Sequence, residues 1–168
     1  TYNVSAGQTD SGDSVLNGGT LNVLSGGTII GTQDYGIVNV SSGGSASGTV
    51  ISGGTEIVGA GGSDFAAQIS GGEQDVYGFA NSATAFTGGS QVVESGGTAD
   101  ATTLSSGGVL IVSSGGLALS ANVDNAGFGR TAGGLLLSGG IASGTIINTS
   151  GQMAVFAGGT DVSGTVLS

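Results

Sequence analysis

Residues 42–52 read Ser-Gly-Gly-Ser-Ala-Ser-Gly-Thr-Val-Ile-Ser, and this stretch contains the pattern that decides the fold. A Gly-Gly pair and small polar residues suit tight turns, and Val-Ile is a short β-prone run. Variants of the phrase recur along the chain, each marked by a Gly-Gly pair. The pairs begin at Gly18, Gly26, Gly43, Gly53, Gly61, Gly71, Gly88, Gly96, Gly107, Gly115, Gly133, Gly139 and Gly158.

The intervals between these pairs define a repeat. Most intervals are about 8 or 10–11 residues and they tend to alternate, so one short arm and one long arm make a repeat of about 18–19 residues. Where an interval is longer, a degenerate pair is placed at Tyr35-Gly36, Phe79-Ala80 and Ser150-Gly151. Aligning the repeats on their first pair exposes a valine column: Val23, Val40, Val58, Val76, Val93, Val112 and Val155.

The long arm predicts a second apolar column, a small residue on the same strand face, and a corner residue before it. The apolar column is Leu16, Ile51, Ile69, Phe86, Leu104, Val123, Ile147 and Leu167. The small residues are Thr49, Ala67, Thr84, Thr102, Ala121, Thr145 and Thr165. The corners are Gly48, Ala66, Ala83, Ala101, Ser120, Gly144 and Gly164.

Each repeat therefore holds three short strands and three turns, which predicts an all-β, single-stranded parallel β-helix, a β-solenoid. Strands this short bury a face only when coil stacks on coil. Right-handed winding is the favoured choice for parallel crossovers. We expect one solenoid domain over residues 1–168, a rod belonging to a longer protein. Two places break the pattern: 31–35 lacks the expected aliphatic residue, and a loop or bulge is expected around 122–138.

Composition limits the function. The formal net charge is −10 and Arg130 is the only basic residue, so nucleic acid and anionic membrane surfaces are not expected partners. The chain has 38 glycines but no proline, which excludes collagen, and 38% of its residues are hydrophobic, which argues against disorder. No segment approaches a transmembrane stretch.

Three phrases resemble a known family: Ser42–Ser52, Glu94–Leu104 and Gly139–Asn148. They are similar to the repeats of AIDA-type self-associating autotransporter adhesins of Gram-negative bacteria. The resemblance implies a passenger stalk exposed on the bacterial surface and anchored to the outer membrane through a region missing from this chain. It also implies roles in cell aggregation, adhesion, biofilm formation and virulence. Because some members carry heptose on serine, Ser47, Ser143 and Ser163, beside predicted corners, are candidate glycosylation sites.

Enzyme chemistry is the main alternative, because β-helices also host polysaccharide lyases and hydrolases. Such enzymes use paired carboxylates. Glu73 and Asp75 share a strand face and are the best candidate pair, although two solvated outward acids are the simpler interpretation. The chain has no His and no Cys, so a Ser-His-Asp triad is impossible. We expect no catalytic activity and no cofactor.

Other chemistry-bearing residues have plain interpretations. Asp10-Ser-Gly-Asp13 and the motif at residues 61–64 resemble calcium-binding turns, but calcium needs six or more oxygens, so no metal site is expected. Arg130 is interpreted as a surface charge near Asp124. The phenylalanines do not share one column and are expected to fill gaps or cover corners: Phe65, Phe79, Phe86, Phe128 and Phe156.

The sequence thus favours a non-catalytic adhesin module that associates with like rods on neighbouring cells, with host or matrix surface ligands as further partners. Weak contacts between outward Ser, Thr, Asn and Asp would act together along the rod. A carbohydrate-active enzyme and a pure spacer for a distal adhesive domain stay as alternatives.

Overall fold

The computed structural model describes residues 1–124 and 134–167. These residues form twenty-seven short strands and no helix, and the strands lie in three parallel sheets of nine strands each. Every coil visits sheet 1, then sheet 2, then sheet 3, so the described part of the chain contains nine coils. At about 4.8 Å per coil the rod is roughly 40 Å long. The parallel β-solenoid with three strands per coil is confirmed.

The three sheets take their strands from the chain in strict rotation. Sheet 1 contains β1 (Tyr2–Val4), β4 (Thr20–Val23), β7 (Ile37–Val40), β10 (Thr55–Val58), β13 (Glu73–Val76), β16 (Ser90–Val93), β19 (Val109–Ser113), β22 (Gly134–Ser138) and β25 (Met153–Val155). Sheet 2 contains β2 (Thr9–Ser11), β5 (Thr28–Ile30), β8 (Ser45–Ser47), β11 (Ser63–Phe65), β14 (Phe79–Asn81), β17 (Thr98–Asp100), β20 (Leu117–Leu119), β23 (Ile141–Ser143) and β26 (Thr160–Val162). Sheet 3 contains β3 (Ser14–Val15), β6 (Gln33–Asp34), β9 (Val50–Ile51), β12 (Gln68–Ile69), β15 (Thr84–Ala85), β18 (Thr103–Leu104), β21 (Asn122–Val123), β24 (Ile146–Ile147) and β27 (Thr165–Val166).

The valine column forms the part of the core that lies on the inward face of sheet 1. Its predicted members stack in register, and the structure adds Val4 at the start and Leu137 in the eighth coil. From Val4 to Leu137 every member is almost fully buried, whereas Val155, in the last coil, is half exposed. Each buried member is covered by the coil on either side, which is how such short strands bury a face.

The apolar column of sheet 3 is confirmed in the middle of the rod and wrong by one residue in three coils. Ile51, Ile69, Leu104, Val123 and Ile147 stack as predicted. Three further places belong to Val15, Ala85 and Val166, next to the predicted residues in the sequence, and the ninth belongs to Asp34. Leu16 is exposed, and in the last coil Val166 and Leu167 are both exposed.

One turn explains the shift in the fifth coil. The corner between β13 and β14 is only Tyr77-Gly78, whereas the corner one coil earlier spans residues 59–62. Phe79-Ala80 is therefore strand, not a degenerate glycine pair, and the predictions that followed from it move by one residue. Ser82 replaces Ala83 as the corner, Ala83 replaces Thr84 as the small inward residue, and Ala85 replaces Phe86.

The corners between sheets 2 and 3 share one backbone conformation. All nine have positive φ, whether or not the residue is glycine: Gly12, Gly31, Gly48, Ala66, Ser82, Ala101, Ser120, Gly144 and Ser163. In the last coil the corner is Ser163, at φ 63°, and not the predicted Gly164. Sheet register decides this position, because Val166 must pair with Ile147. The five non-glycine corners each carry a steric cost of about 1–2 kcal/mol that sheet stacking must exceed.

The irregularity predicted for 122–138 lies mostly on residues 125–133, outside the described residues, and so do Phe128 and Arg130. The strands on either side keep their places, since β21 pairs with β24 and β22 pairs with β19. The chain between β21 and β22 spans 124–133, whereas the equivalent connection one coil earlier spans only 105–108. Within the described residues nothing is helical, so no helix could cross a membrane.

The core is divided in two. A small hydrophobic cluster runs from Val4 to Ala46, and a larger one runs from Ile51 to Ile147 with Met153 packed against it. Buried polar side chains lie in the coils where the two clusters meet.

Candidate functional site

The outer faces of the rod are ladders of side chains, because every second residue of each strand points outward. Sheet 1 begins with an amide ladder. Asn22 donates from Nδ2 to Oδ1 of Asn3 at 2.8 Å, and Asn39 donates in the same way to Asn22 at 2.9 Å. The same outward column becomes apolar in later coils, where Val92, Ile111 and Leu136 follow one another.

An aliphatic strip covers the outer faces of sheets 1 and 2 in coils six to eight. It is defined by seven outward residues: Val92, Val109, Ile111, Leu117, Leu119, Leu136 and Ile141. Six are half-buried and Ile141 is 48% exposed, so all of them reach solvent. Contiguous apolar side chains at a surface mark contact sites more often than scattered ones do.

Acidic side chains lie beside this strip but not within it. Glu73 and Asp75 point outward from β13, Glu94 follows β16, and Asp100 ends β17. The pKa of Asp75 is raised by partial loss of solvent and then by the charges of Glu73 and Glu94. No strand of coils seven and eight that the structure describes carries an acid. The outer surface therefore has an acidic region next to an uncharged, apolar one.

The Glu73–Asp75 pair shares an outward face, as predicted. Glu73 is exposed and Asp75 is half-buried on a flat strand, and the next acid, Glu94, adds further negative charge. A concavity lies elsewhere, at the first coil, where it is lined by residues that include Thr1, Tyr2 and Leu16. Within the described residues, the two carboxylates lie on an outward strand face with Glu94 as a further acid nearby.

The calcium-like motifs separate into two different environments. Asp13 is exposed, and the nearby charge of Asp10 raises its pKa. Asp64 is completely buried and points into the rod, so residues 61–64 do not present an outward turn of oxygens. Within residues 1–124 and 134–167, no three His, Cys, Asp or Glu side chains are grouped as a metal would require.

The three candidate glycosylation serines occupy two kinds of position. Ser47 and Ser143 end strands of sheet 2 and directly precede the corners Gly48 and Gly144, and both are half-buried. Ser163 is itself a corner and is exposed. Their modification stays a prediction.

Two of the phenylalanines meet on the outside of sheet 2. The rings of Phe65 and Phe79 pack edge to face with centroids 6.2 Å apart, and Phe65 is 42% exposed. Phe86 is half-buried and Phe156 is exposed in the last coil. The prediction that the phenylalanines fill core gaps or cover corners is therefore met at Phe86 and Phe156, which directly follow β15 and β25 at turns, whereas Phe65 and Phe79 cover the outer face of sheet 2.

A polar track runs through the centre of the rod, where the sequence predicts a narrow aliphatic core. Its members are all at most 1% exposed: Asp34, Thr49, Glu56, Asp64, Gln74, Gln91 and Thr102. Glu56, Gln74 and Gln91 occupy the inward column of sheet 1 that holds Leu21, Val38, Leu110 and Leu135 in other coils. Asp34 fills the vacant aliphatic place predicted at 31–35.

Hydrogen bonds connect the track from coil to coil. Thr102 donates to Oε1 of Gln91 at 2.7 Å, and Gln91 donates from Nε2 to Oε1 of Gln74, also at 2.7 Å. Gln74 donates from Nε2 to both Oε2 of Glu56 and Oδ2 of Asp64, each at 2.8 Å. Thr49 donates to the other oxygen of Glu56 at 3.0 Å.

The signal for this track was present in the sequence. Glu56, Gln74 and Gln91 lie two residues before Val58, Val76 and Val93, which places them on the inward face of the strand. Reading each acid against the valine column, and not against the other acids, would have identified Glu56 as buried. The burial of Asp64 could not be predicted in this way, because no valine column marks the inward face of sheet 2. Its inward column is filled mainly by alanine: Ala46, Ala80, Ala99, Ala118 and Ala142.

The geometry defines a repeat solenoid whose outer surface carries amide, aliphatic and acidic side chains. A solved structure is similar to it over nearly the whole chain. This is the crystal structure of a TibC-catalysed, hyper-glycosylated fragment of TibA, with a TM-score of 0.88 and 35% sequence identity. The match covers 98% of this chain and 62% of that chain, so this chain spans about three fifths of the fragment. TibA is an AIDA-type autotransporter adhesin, and the resemblance of this chain to an AIDA-type repeat region is thereby confirmed. Scans of protein-family models and of curated proteins gave no match.

Proposed function

We propose that this chain is a non-catalytic stalk and self-association module of a bacterial cell-surface adhesin, acting in cell aggregation, adhesion and biofilm formation. The solenoid and its similarity to the TibA fragment support an adhesin-like stalk and a passenger domain at the cell surface. The aliphatic strip carries the proposal of self-association, because it is the apolar, acid-free part of a surface whose chain has a net charge of −10.

Charge explains why association would use this strip. Two rods that carry excess negative charge repel each other over about 10 Å at 0.1 M salt. Pairing through coils six to eight places Ile111 and Leu136 at the centre of the contact and leaves most outward acids outside it. If the rods pair in opposite directions about coil seven, the acidic β13 of each lies opposite β25 of the other, which is Met153–Val155 and has no acid. A parallel pair would place Glu73 and Asp75 against their own copies.

Sedimentation velocity at 0.05 M and 1 M sodium chloride tests the proposal. The parent chain should associate more strongly at high salt, which screens charge and strengthens apolar burial. The strip variant Ile111→Thr/Leu136→Thr should stay monomeric at both salt concentrations. Ile146→Thr is the control, since Ile146 is a 41% exposed aliphatic residue on the outside of sheet 3.

Four outcomes would contradict the proposal. A parent chain that remains monomeric at high concentration and both salt levels has no self-association to explain. A strip variant that associates like the parent places the contact elsewhere. Adhesion of the full protein that depends only on the number of coils, and not on the strip, favours the spacer. Polysaccharide turnover lost in Glu73→Gln or Asp75→Asn would favour the enzyme.

Glycosylation is the second part of the proposal. The TibA fragment is described as hyper-glycosylated by TibC. The acceptors proposed here are the serines that precede or form corners: Ser47, Ser143 and Ser163. Intact-mass measurement after co-expression with TibC should show added sugar on the parent chain. The triple Ser→Ala variant should lose three of these additions; a mass gain identical to that of the parent excludes these serines. Host or matrix surface ligands are proposed as partners beyond the second copy.

A further inference from the structure

The polar track contains two carboxyl groups that share one amide. Glu56 and Asp64 are both 0% exposed, and both accept a hydrogen bond from the same Nε2 atom of Gln74. That nitrogen has two hydrogens and both are used. Oδ1 of Asp64 has no hydrogen-bond partner, and neither does Oδ2 of the buried Asp34. The backbone N–H groups of Phe65 and Ala67 also favour the charged form of Asp64, but the loss of solvent on burial is the larger effect.

Among the other side chains of the track, only Thr49 donates to these carboxyl groups. Oε1 of Gln74 accepts from Gln91, and Oε1 of Gln91 accepts from Thr102, so each amide already points its nitrogen toward the carboxyl groups. Thr49 contributes the remaining donor, to Glu56. The whole track is arranged to donate toward Glu56 and Asp64, and it ends there.

No positive charge among the described residues faces the pair. Glu56 on β10 lies between Val38 on β7 and Gln74 on β13, and Asp64 on β11 lies between Ala46 on β8 and Ala80 on β14. From sheet 3, Asp34 on β6 adds its charge to that acting on Glu56. Among the described residues there is no Lys, Arg or His, and the terminal amine of Thr1 lies in the first coil.

Two buried carboxylates with one shared amide and no cation are unfavourable when both are ionised, because burial penalises each charge and the charges repel. Protonation of one member removes the repulsion and one of the two burial penalties, and it adds a hydroxyl donor to the network. We propose that the Glu56–Gln74–Asp64 cluster is an internal proton-binding site, and that proton uptake locks coils three to five of the rod while proton release loosens them.

The titration of the two acids has the direction this geometry requires. Burial raises the pKa of Glu56 well above its usual range, with the charge of Asp64 as the second cause. Burial raises the pKa of Asp64 to about 6, against the opposing effect of the hydrogen bond from Gln74. A carboxyl group whose pKa is higher in the folded state binds more protons folded than unfolded, so stability falls as pH rises above the unfolded value near 4. The loss continues through about 6 for Asp64 and to higher pH for Glu56.

Hydrogen exchange followed by mass spectrometry, from pH 4.5 to 8.5, tests the proposal on the intact chain. Opening constants, corrected for intrinsic exchange, should rise with pH for peptides covering β10 and β13 by up to about tenfold per pH unit for each proton released. Peptides covering β20 and β21 form the internal reference, because the strands of coil seven hold no acid. A flat profile in β10 and β13, or an equal rise in β20 and β21, overturns the proposal without any variant.

A matched pair of variants assigns the effect to the cluster. Glu56→Gln imitates the protonated acid, since its amide can accept from Gln74 and donate to Thr49. It should hold β10 and β13 at pH 8 near the protection that the parent shows at pH 5, and flatten their pH profile. Glu73→Gln makes the same change on the exposed face one coil away and should leave the parent profile intact. A Glu56→Gln profile as steep as the parent's would assign the proton to another group.

Discussion

The two glycines of each pair are predicted to be required for different reasons, and Gly96-Gly97 separates them. Gly96 has φ 85° and open space where a Cβ would be, so Gly96→Ala carries only a conformational cost. Gly97 is not in the left-handed region, but a Cβ there would overlap the carbonyl oxygen of Val76 and lie 2.8 Å from its carbonyl carbon. That carbonyl accepts the backbone hydrogen bond of Glu94 at 2.9 Å, which joins one coil to the next.

The magnitudes follow from these contacts. A left-handed alanine costs about 1–2 kcal/mol, and removing a glycine from the unfolded chain returns about 0.4–1 kcal/mol, so Gly96→Ala should cost about 1 kcal/mol. Gly97→Ala must displace backbone, which costs about 1–3 kcal/mol of packing strain, and it weakens a ladder hydrogen bond worth about 1 kcal/mol. We expect a loss of roughly 3 kcal/mol for this variant.

Urea unfolding followed by far-ultraviolet circular dichroism measures the difference as a shift in midpoint at constant slope. Ser95→Ala, in the same turn, is the control for loss of a polar side chain and should lie within about 0.5 kcal/mol of the parent. Equal losses for Gly96→Ala and Gly97→Ala would refute the separation of roles. A larger loss at Gly96 would show that φ, and not the approach of the neighbouring coil, fixes the pair.

Two further predictions concern the corner and the polar track. Ala101→Gly removes the strain of a φ of 56° at a corner and should raise unfolding stability by up to about 1 kcal/mol in urea; a loss would show that the alanine is not strained. Replacing the track by the residues that neighbouring coils use, as Glu56→Leu/Asp64→Ala/Gln74→Leu/Gln91→Leu, should be neutral or stabilise by about 1–4 kcal/mol in thermal unfolding at pH 7. Gln74→Leu alone removes the donor shared by two buried carboxyl groups and should lower unfolding stability by about 3–5 kcal/mol. A single variant more stable than the fourfold variant would contradict the account of the track.

The sequence predicted the fold well because the repeat depends on residues whose structural roles are narrow. Gly-Gly pairs and the valine column define where each coil turns and which face is inward, and seven of the nine places in the sheet 1 column were predicted. The errors arose where turn length changed. The residue types of Tyr77-Gly78 do not indicate that this corner is shorter than the equivalent corner at residues 59–62. In the last coil, the corner was predicted at Gly164 because it is a glycine, but sheet register places the corner at Ser163.

The candidate surfaces were harder to predict because outward positions have no comparable constraint. Val109, Ile111, Leu117 and Leu119 stand two apart in the sequence, yet apolar residues at such spacing predict an inward face as readily as an outward one. Only the register of the sheets shows that Leu110 and Ala118, between them, are the buried residues. The polar track was not predicted for the opposite reason. Its inward positions are constrained, but residue type alone assigns Gln74 and Gln91 to solvent.

This division of constraints explains how one repeat can serve different surfaces. Inward positions must stack with the coils above and below, so most hold Val, Ile, Leu, Ala or Thr. Some inward polar residues have their hydrogen bonds completed by neighbours, as Gln74 does, whereas Asp34 and Asp64 each keep one unpaired oxygen. Outward positions contact at most the next coil, so their column in sheet 1 changes from Asn39 to Ile57 to Asp75 to Val92 without disturbing the pairing. The chemistry of the outer surface can therefore vary coil by coil while the rod stays the same. The recurring Gly-Gly motifs and inward columns define the solenoid, and the outward residues of its strands form the surface available for contacts.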